Sequence, residues 1–409
     1  MTKLDELIQE YCPDGVEYKR LGDIATISRG GSFQKKDYTE NGIPCIHYGQ
    51  IYMHYGLFAE KTLSYISDEV AQKQKFAEPG DIIMAVTSEN IDDVCKCMAW
   101  FGSEKVAVSG HTAIIHHSIN SKYLVYWLSS TMFYQQKVKI AHGTKVIEVA
   151  PARLADIILP VPPLPVQCEI VRILDNFTEL TAEFTAELTA ELTARKQQYA
   201  YYRNKLLKKN TKAIKMEFGD MFNFQNGFAF KSRLFKKSGN AILRIANIKE
   251  NQISTDNLAF FDEADYKEDL SQYIVRQSDI VIAMSGATTG KIGVNVTPFN
   301  FYLNQRVGKF IPKENIILNR YLYHLLLQMS GEIYAISEGG AQPNLSSEKL
   351  KKLTAYIPPI SEQKRIVKVL DRFDTLCTDL NIGLPAEIEA RQKQYEYYRD
   401  KLLTFTPAD

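Results

Sequence analysis

One stretch of this chain, Pro162 to Leu207, is present twice. Laid over Pro358 to Leu403 without a gap, 22 of its 46 positions are identical. Pro162-Pro163 meets Pro358-Pro359, Gln167 meets Gln363, and Ile170-Val171 meets Ile366-Val367. Leu174-Asp175 meets Leu370-Asp371, and Phe177 meets Phe373. At the far end Tyr199, Tyr201-Tyr202-Arg203 and Lys205-Leu206-Leu207 meet Tyr395, Tyr397-Tyr398-Arg399 and Lys401-Leu402-Leu403. A duplication this long predicts a chain built of two related halves.

Both copies read as helix. Pro165 suits a first helical position and Ser361 a cap. In the first copy Ile170, Ile173, Leu174, Phe177, Leu180, Phe184, Leu188 and Leu192 recur at spacings of three and four, which places them on one face. The centre is a tetrapeptide array, Thr181-Ala182-Glu183-Phe184, Thr185-Ala186-Glu187-Leu188 and Thr189-Ala190-Glu191-Leu192, rich in strong helix formers. A continuous helix from Val166 to Leu207 runs about 63 Å at ~1.5 Å per residue, which is long for a globular core and predicts a coiled coil. Gly383 and Pro385 predict a break or kink in the second copy. Two matched helices in one chain fit an antiparallel pair.

The segments before and between the repeats are related more faintly. Leu21-Gly22-Asp23 with Gly30 matches Phe218-Gly219-Asp220 with Gly227, and Gly42 to Ile51 lies over Gly239 to Ile248. Asp81 to Ala85 answers Asp279 to Ala283, and Tyr123-Leu124 answers Tyr321-Leu322. Each segment reads as short apolar strands (Ile82–Val86, Ala113–Ile115, Ile280–Met284) between Gly, Asn and Asp turns. A helix near Tyr123–Gln136 recurs at Tyr321–Gln328. The expected fold is α+β: two pseudo-symmetric, mixed or β-rich modules separated by two long helices forming an antiparallel coiled coil. The bounds are 1–160 and 210–357 for the modules, 161–209 and 358–409 for the helical spacers.

A chain of 409 residues has room for this arrangement. Lys and Arg number 49 against 48 Asp and Glu, a net charge of +1, so any DNA-facing surface has to come from local clustering. No secretory signal and no membrane-spanning apolar run is read, which predicts a cytoplasmic protein without a membrane partner. Cysteines at 12, 45, 95, 97, 168 and 377 fit neither a disulfide framework nor a zinc site, so no metal is expected. Duplicated modules on paired helices give a pseudo-two-fold particle, and two-fold readers of DNA bind two half-sites at a set separation. Because the modules have diverged, the half-sites should differ. One extra tetrapeptide lengthens a helix by about 6 Å, roughly two base-pair steps if all of it is axial.

These features together resemble the specificity subunit of type I restriction-modification systems, most closely its IC branch. The resemblance is carried by the tetrapeptide array, by Arg195-Lys196-Gln197-Gln198-Tyr199 with Tyr201-Tyr202-Arg203, by Arg391-Gln392-Lys393-Gln394-Tyr395 with Tyr397-Tyr398-Arg399, and by Asp14-Gly15-Val16-Glu17-Tyr18 ahead of Leu21-Gly22-Asp23. It covers essentially the whole chain. It implies two target recognition domains, each reading one half of a bipartite site in double-stranded DNA. It also implies helices that dock two methyltransferase subunits, with restriction (motor/nuclease) subunits joining through that core. S-adenosylmethionine, and ATP with magnesium, are then expected on the partner subunits and no cofactor on this chain. The Gly383/Pro385 interruption departs from two equal helices and bears on whether the docking faces are equal.

Chemistry within the chain itself finds little support. Ser285 to Gly293 resembles a phosphate loop, but it is one residue short between its glycines and Ile292 stands where Ser or Thr should hold magnesium. It reads either as a Gly-rich loop approaching a DNA backbone with Lys291 or as a glycine turn between strands. Val161-Pro162-Pro163-Leu164 and Ile357-Pro358-Pro359-Ile360 lack the polar residue of an adenine-methylating motif. Base flipping for methylation then falls to a partner. A fused methyltransferase or nuclease, a coiled-coil scaffold that never touches DNA, and a specificity subunit of another phage-defence assembly are the competing readings.

The DNA-binding candidates are polar and basic residues in predicted turns. In the first module they are Arg29, Gln34, Lys35, Lys36, Gln50, Ser88, Asn90 and Lys145. In the second they are Lys231, Arg233, Arg244, Asn247, Thr288, Lys291, Asn304, Gln305, Arg306, Gln342 and Asn344. Arg, Asn and Gln suit base edges, Lys and Ser phosphate. His111 and His142 read as packing or surface histidines. Arg203, Lys205, Lys208, Lys209, Lys212 and Lys215 form a basic run that fits DNA between half-sites or a helix dipole equally well. Tyr199, Tyr202, Arg203 and Leu206, repeated as Tyr395, Tyr398, Arg399 and Leu402, form a face that suits either helix pairing or partner docking.

Overall fold

The structure, a computed structural model, describes residues 2–208, 212–249, 251–337, 343–378 and 383–408. Its internal contacts divide the chain into two units: Met1–Ala186 with Glu389–Asp409, and Glu187–Ile388. The division cuts through both helical repeats and crosses the linear module and spacer bounds. Each unit therefore holds one module, the start of the repeat that follows it, and the end of the other repeat.

The first unit contains two five-stranded sheets. One runs in the order Ala25–Arg29, Thr112–His117, Ile82–Ala85, Cys97–Trp100, Phe58–Ala59; the other runs Tyr38–Thr39, Ser64–Ile66, Ile43–Ile46, Val106–Val108, Lys75–Ala77. Strand Ile82–Ala85 explains why the sequence shows apolar runs instead of alternation. Successive side chains point to opposite faces, and here both faces are covered. Ile82 and Met84 enter the core beneath the helices, whereas Ile83 and Ala85 enter a second core with Ile46, Met98, Trp100, Val106 and Val108.

The second unit repeats this topology. Its larger sheet runs Phe222–Asn226, Val307–Pro312, Ile280–Ala283, Ile292–Val294, Gln252–Ile253, with Ile248–Lys249 added at the edge. Its smaller sheet runs Ala259–Phe261, Asn240–Leu243, Phe301–Leu303, Ile274–Val275. The parallel pair Ile43–Ile46 with Val106–Val108 is matched by Asn240–Leu243 with Phe301–Leu303. The faint sequence kinship of the modules is thus a kinship of strand order.

The first repeat is one helix, Leu164–Leu206, of 43 residues. The second is two, Ile360–Thr378 and Leu384–Leu402. Pro385 is the second residue of the latter, where its missing N–H breaks no helical bond. The expected Tyr123–Gln136 helix is corrected to Ser121–Leu128 and Thr131–Ile140. Ser130 ends the run because its hydroxyl accepts the Phe133 N–H and caps the next helix.

The repeats pair early against late in both units. Phe177 stacks on Tyr398 at 5.8 Å and 7° in the first unit, and Phe373 on Tyr202 at 5.5 Å and 18° in the second. Val166, Ile170, Leu174 and Leu403 close the core of the first unit; Ile366, Leu370, Tyr199 and Leu207 close that of the second. Two matched sequence features find their cause here. Buried Gln167 accepts the Asn120 N–H at 2.9 Å and donates to the Pro162 carbonyl at 2.7 Å. Gln363 accepts the Leu318 N–H at 2.9 Å and donates to Pro358 and Ile316. Each glutamine staples the module's packed helix to the start of its spacer. Replacing either with Leu orphans a backbone N–H and carbonyls in the interior. We expect Gln167→Leu and Gln363→Leu each to lower stability by about 1–3 kcal/mol, read by denaturant titration of the purified chain.

Candidate nucleic-acid interfaces

In each module the loops leaving three strands are drawn together by the same backbone hydrogen bonds. In the first, Ser109 N–H donates to Ile46 O at 3.1 Å, Gly31 N–H to Val108 O at 2.6 Å and Val86 N–H to His111 O at 2.9 Å. In the second, Asn304 N–H donates to Leu243 O at 3.1 Å, Phe228 N–H to Leu303 O at 2.8 Å and Met284 N–H to Arg306 O at 2.8 Å. The residue after the central strand caps a short helical turn in both. His47 N–H donates to Gln50 Oε1 at 2.9 Å, and Arg244 N–H to Asn247 Oδ1 at 3.1 Å. Gly30 and Gly227 sit where a side-chain carbon would lie about 2 Å from a backbone oxygen, of Ser109 and Asn304 respectively, so close approach of these loops requires glycine.

In the first module these loops enclose a groove of about 840 Å³ lined by Arg29, Lys35, Lys73, Lys75, His47 and His111 among its polar residues, with no carboxylate in the lining. Tyr48 stands between the two imidazoles, its ring centroid 4.4 Å from that of His47 and 5.0 Å from that of His111. His47 Nδ1 accepts the Gly49 N–H at 3.2 Å. Burial first, then Lys35 and His111 nearby, hold this imidazole below the ordinary histidine range, which keeps it neutral. With Nδ1 occupied as an acceptor, the ring proton belongs on Nε2. A concave, cation-lined surface carrying a neutral donor and aromatic faces suits a nucleic acid, where phosphates and base edges present acceptors.

The sequence candidates divide sharply. Gln34, Lys35 and Lys36 are exposed on the loop that borders the groove, and Lys145 is exposed on the loop before Ile147–Glu148. Arg29 lines the groove, but its guanidinium donates to Gly110 O at 3.0 Å and pairs with Glu148 at 2.8 Å. Gln50 has its amide oxygen on His47 N–H and its nitrogen on Ser64. Asn90 folds its own loop through Asp93, and Ser88 lies on the strand paired with Ile147–Glu148. These interactions are local scaffolding. His111 lines the groove together with His47, Tyr48, Lys73 and Lys75, four residues that the sequence does not single out. The cue available was the equivalence of Gly42–Ile51 with Gly239–Ile248, which marks His47 opposite Arg244.

In the second module Arg306, Gln305, Lys291, Lys231, Arg233 and Asn344 are exposed. Asn304 accepts the Arg306 N–H at 3.3 Å. Asn247 is buried and holds Arg244 N–H and Asp256 O, which makes it scaffolding as well. Gln342 and Lys209 lie outside the described residues. The Ser285–Gly293 stretch forms a tight turn between strands Ile280–Ala283 and Ile292–Val294, with Gly286 and Gly290 at positive φ and a single short helical turn, Gly286–Thr288. No helix follows it to lend its N-terminus to a phosphate, unlike a nucleotide-binding loop. Arg244 Nε, Ser285 Oγ and Thr288 Oγ1 are buried with no hydrogen-bond partner in the structure.

The repeated tyrosine face is engaged inside the chain. Tyr199 is 7% exposed and its hydroxyl bonds His324 Nδ1 at 2.7 Å. Tyr202 and Tyr398 stack as above, Arg203 lies over Tyr199 at 5.2 Å, and Tyr395 bonds Thr178 at 3.1 Å. Arg399 pairs with Asp400, and Leu206 and Leu402 pack on the cores. Contact between the repeats accounts for Tyr202, Tyr395 and Tyr398, whereas Tyr199 bonds the module helix, Arg203 and Arg399 meet residues of their own helices, and Leu206 and Leu402 pack on the cores. Their neighbours Tyr201 and Tyr397 stand out at 60% and 62% exposure.

Two modules of one topology, each closed by helix ends drawn from both repeats and each exposing cations on its loops, have the make-up of a protein that meets an anionic polymer through two separate modules. The comparisons give the family. The type I restriction modification DNA specificity domain matches residues 13–194 and 210–390, and the chain belongs to that family. A putative type I restriction enzyme specificity subunit of Haemophilus influenzae is 34% identical over 309 residues, 74% of this chain and 77% of that protein. The EcoR124I/EcoR124II specificity subunit of Escherichia coli is 32% identical over 328 residues, 77% of this chain and 79% of that one. A chain from a solved structure of a type I R-M system, studied for complex assembly and conformational transition, shares the fold with a TM-score of 0.66 at 15% identity, covering 96% of this chain and 98% of that one. Among the described residues no helix is long and apolar enough to cross a membrane, and no cluster of three or more His, Cys, Asp or Glu is placed to hold a metal ion.

Proposed function

We propose that this chain is the non-catalytic DNA-recognition subunit of a type I restriction-modification assembly, each module reading one half of a bipartite, asymmetric site in double-stranded DNA. The observation that carries the reading is the shared backbone of the two loop faces combined with different side chains upon it. Two heads of one construction with unlike chemistry call for two unlike half-sites. The helical repeats set the spacing and receive two methyltransferase subunits, and the exposed Tyr201 and Tyr397 are the residues of the repeated ends best suited as anchors. Restriction subunits join through that core. S-adenosylmethionine belongs to the methyltransferase subunits, and ATP with magnesium to the restriction subunits.

The test is a methylome. The chain is expressed with its cognate methyltransferase subunit, and modified adenines are mapped with and without it. A single split motif that depends on the chain is expected. Exchanging residues 25–150 for the equivalent segment of a relative should change one half of the motif and leave the other. Methylation indifferent to the chain, or a continuous motif, overturns the reading.

A further inference from the structure

The two modules hold two positions in common that differ in chemistry. One is the residue capping the turn after strand Ile43–Ile46 or its counterpart Asn240–Leu243, His47 or Arg244. The other is the last residue of the loop joining the two sheets, His111 or Arg306. The backbone around both is fixed by the matched hydrogen bonds described above, so each pair occupies equivalent places. From this placement, and resting on the proposed function, we infer that these two positions set what each module reads: single imidazole donors in the first, arginine forks in the second.

Three independent observations carry the assignment. First, both positions of the first module line one cation-lined groove, with Tyr48 in ring contact with each. His47 is held by Gly49 as an Nε2–H donor, which suits one acceptor on a base edge. Second, the corresponding corner of the second module contains three buried polar atoms without partners, Arg244 Nε, Ser285 Oγ and Thr288 Oγ1. Buried polar atoms are paired as a rule, so a corner with three unpaired ones is not complete as it stands, and an outside acceptor reaches them when these side chains turn outward. The loop that carries Ser285 and Thr288 lies against the Arg244 turn, since a side-chain carbon on Gly286 would meet Ile245 Cδ1 at 3.5 Å. Third, Arg306 is exposed, while Arg244 is partly engaged through Nη2 to Asn257 O at 2.5 Å. A guanidinium presented on such a loop pairs O6 and N7 of guanine with two parallel bonds, which an imidazole cannot do. The second half-site should therefore contain a guanine whose recognition depends on Arg306, and the first should not depend on such a fork.

The experiment maps methylation with the chain in its complex, using wild type, the double variant His47→Arg/His111→Arg, and Arg306→Lys. Wild type defines the split motif, and module exchange assigns its halves. The double variant is expected to alter the first half-motif, with methylation at wild-type sites falling about ten- to hundred-fold, and to leave the second half intact. Continued methylation at a split motif with a changed first half, rather than loss of methylation altogether, shows that the first module of the variant is folded. Arg306→Lys keeps the charge and removes the fork, so it should relax discrimination at one G·C pair of the second half while salt-dependent affinity for unrelated DNA stays at the wild-type level. A split motif left unchanged by both variants overturns the inference and leaves the proposed function standing. Alteration of the wrong half, or of both halves, overturns the position assignment. Absence of a split motif for the wild-type chain overturns the proposed function itself.

Discussion

A chain ending at Ile388 should lose the fold of the first unit and keep that of the second. The last helix and the segment after it complete a core whose other members lie more than two hundred residues earlier. Leu403 is fully buried there, beside Val166, Ile170 and Leu174. Tyr18 donates its hydroxyl to Phe405 O at 2.9 Å, Val16 N–H donates to Thr406 O, and Ala408 N–H returns a bond to Val16 O. Truncating one fully buried leucine costs about 2–5 kcal/mol. Removing the whole segment adds the Phe177–Tyr398 stack and the terminal backbone pairing, a loss on the order of a domain's entire ~5–15 kcal/mol. Hydrogen exchange is the direct measurement. Amides of Ala25–Arg29 and Thr112–His117 should lose protection, and those of Phe222–Asn226 and Val307–Pro312 should keep it. Full protection in the first pair of strands would refute the crossed arrangement of helix ends.

Replacing Asp371 with Ala should destabilise the second unit by about 3 kcal/mol. Asp371 accepts from His324 Nε2 at 2.8 Å and from Arg320 Nε at 2.9 Å; Arg320 also reaches Asp374 at 2.7 Å. Removing one partner of a buried charge pair typically costs ~3–5 kcal/mol, and the low end applies because Asp371 keeps 36% of its side chain exposed. The same node makes stability depend on pH. His324 is fully buried, and burial holds its imidazole below the ordinary range against the opposing pull of Asp371. Burial raises Asp371, but the hydrogen bonds from His324 and Arg320 outweigh it and leave the carboxyl below its usual range. Both folded values are depressed, so both contributions are present at neutral pH and lost on acidification. The histidine contribution begins to fall once pH drops below about 6.5, where the unfolded imidazole takes a proton, and the carboxylate contribution follows below about 4. Denaturant midpoints of the second unit at pH 7.5 and 5.5 check both statements. A variant within about 0.5 kcal/mol of wild type at pH 7.5 would remove the node from any account of stability.

The duplication made the architecture legible. Identical residues such as Gln167/Gln363 and Leu207/Leu403 are identical because each fills the same place in one of two similar cores. Periodicity identified the helices, although the apolar face of the first repeat is buried only toward its ends: Val166, Ile170 and Leu174 are covered, whereas Phe177, Leu180 and Phe184 are exposed. What the sequence hid is which end of which repeat joins which core, because the repeats are alike and nothing local distinguishes the pairings. The loop faces were half legible. Residue type alone drew attention to Gln50, Asn90 and Asn247, yet polar side chains in tight turns are the ones that fold back on their own backbone. His47 does not stand out in the sequence because its place in the groove depends on Gly49, Tyr48 and a groove wall at His111, none of which shows as spacing.

The crossed helix ends also have a genetic reading. Position along the gene and phenotype should run out of order. Missense changes near Tyr395 to Leu403, at the far end of the coding sequence, should group with lesions in Ala25–Arg29 and Thr112–His117 and spoil recognition of the first half-site. Changes near Tyr199 to Leu207 should group with lesions of the second. A recombination that swaps one module for a foreign one preserves both cores only when its junctions fall within the repeats, where either partner supplies the same contacts. The repeats then act as the seams along which new specificities are spliced.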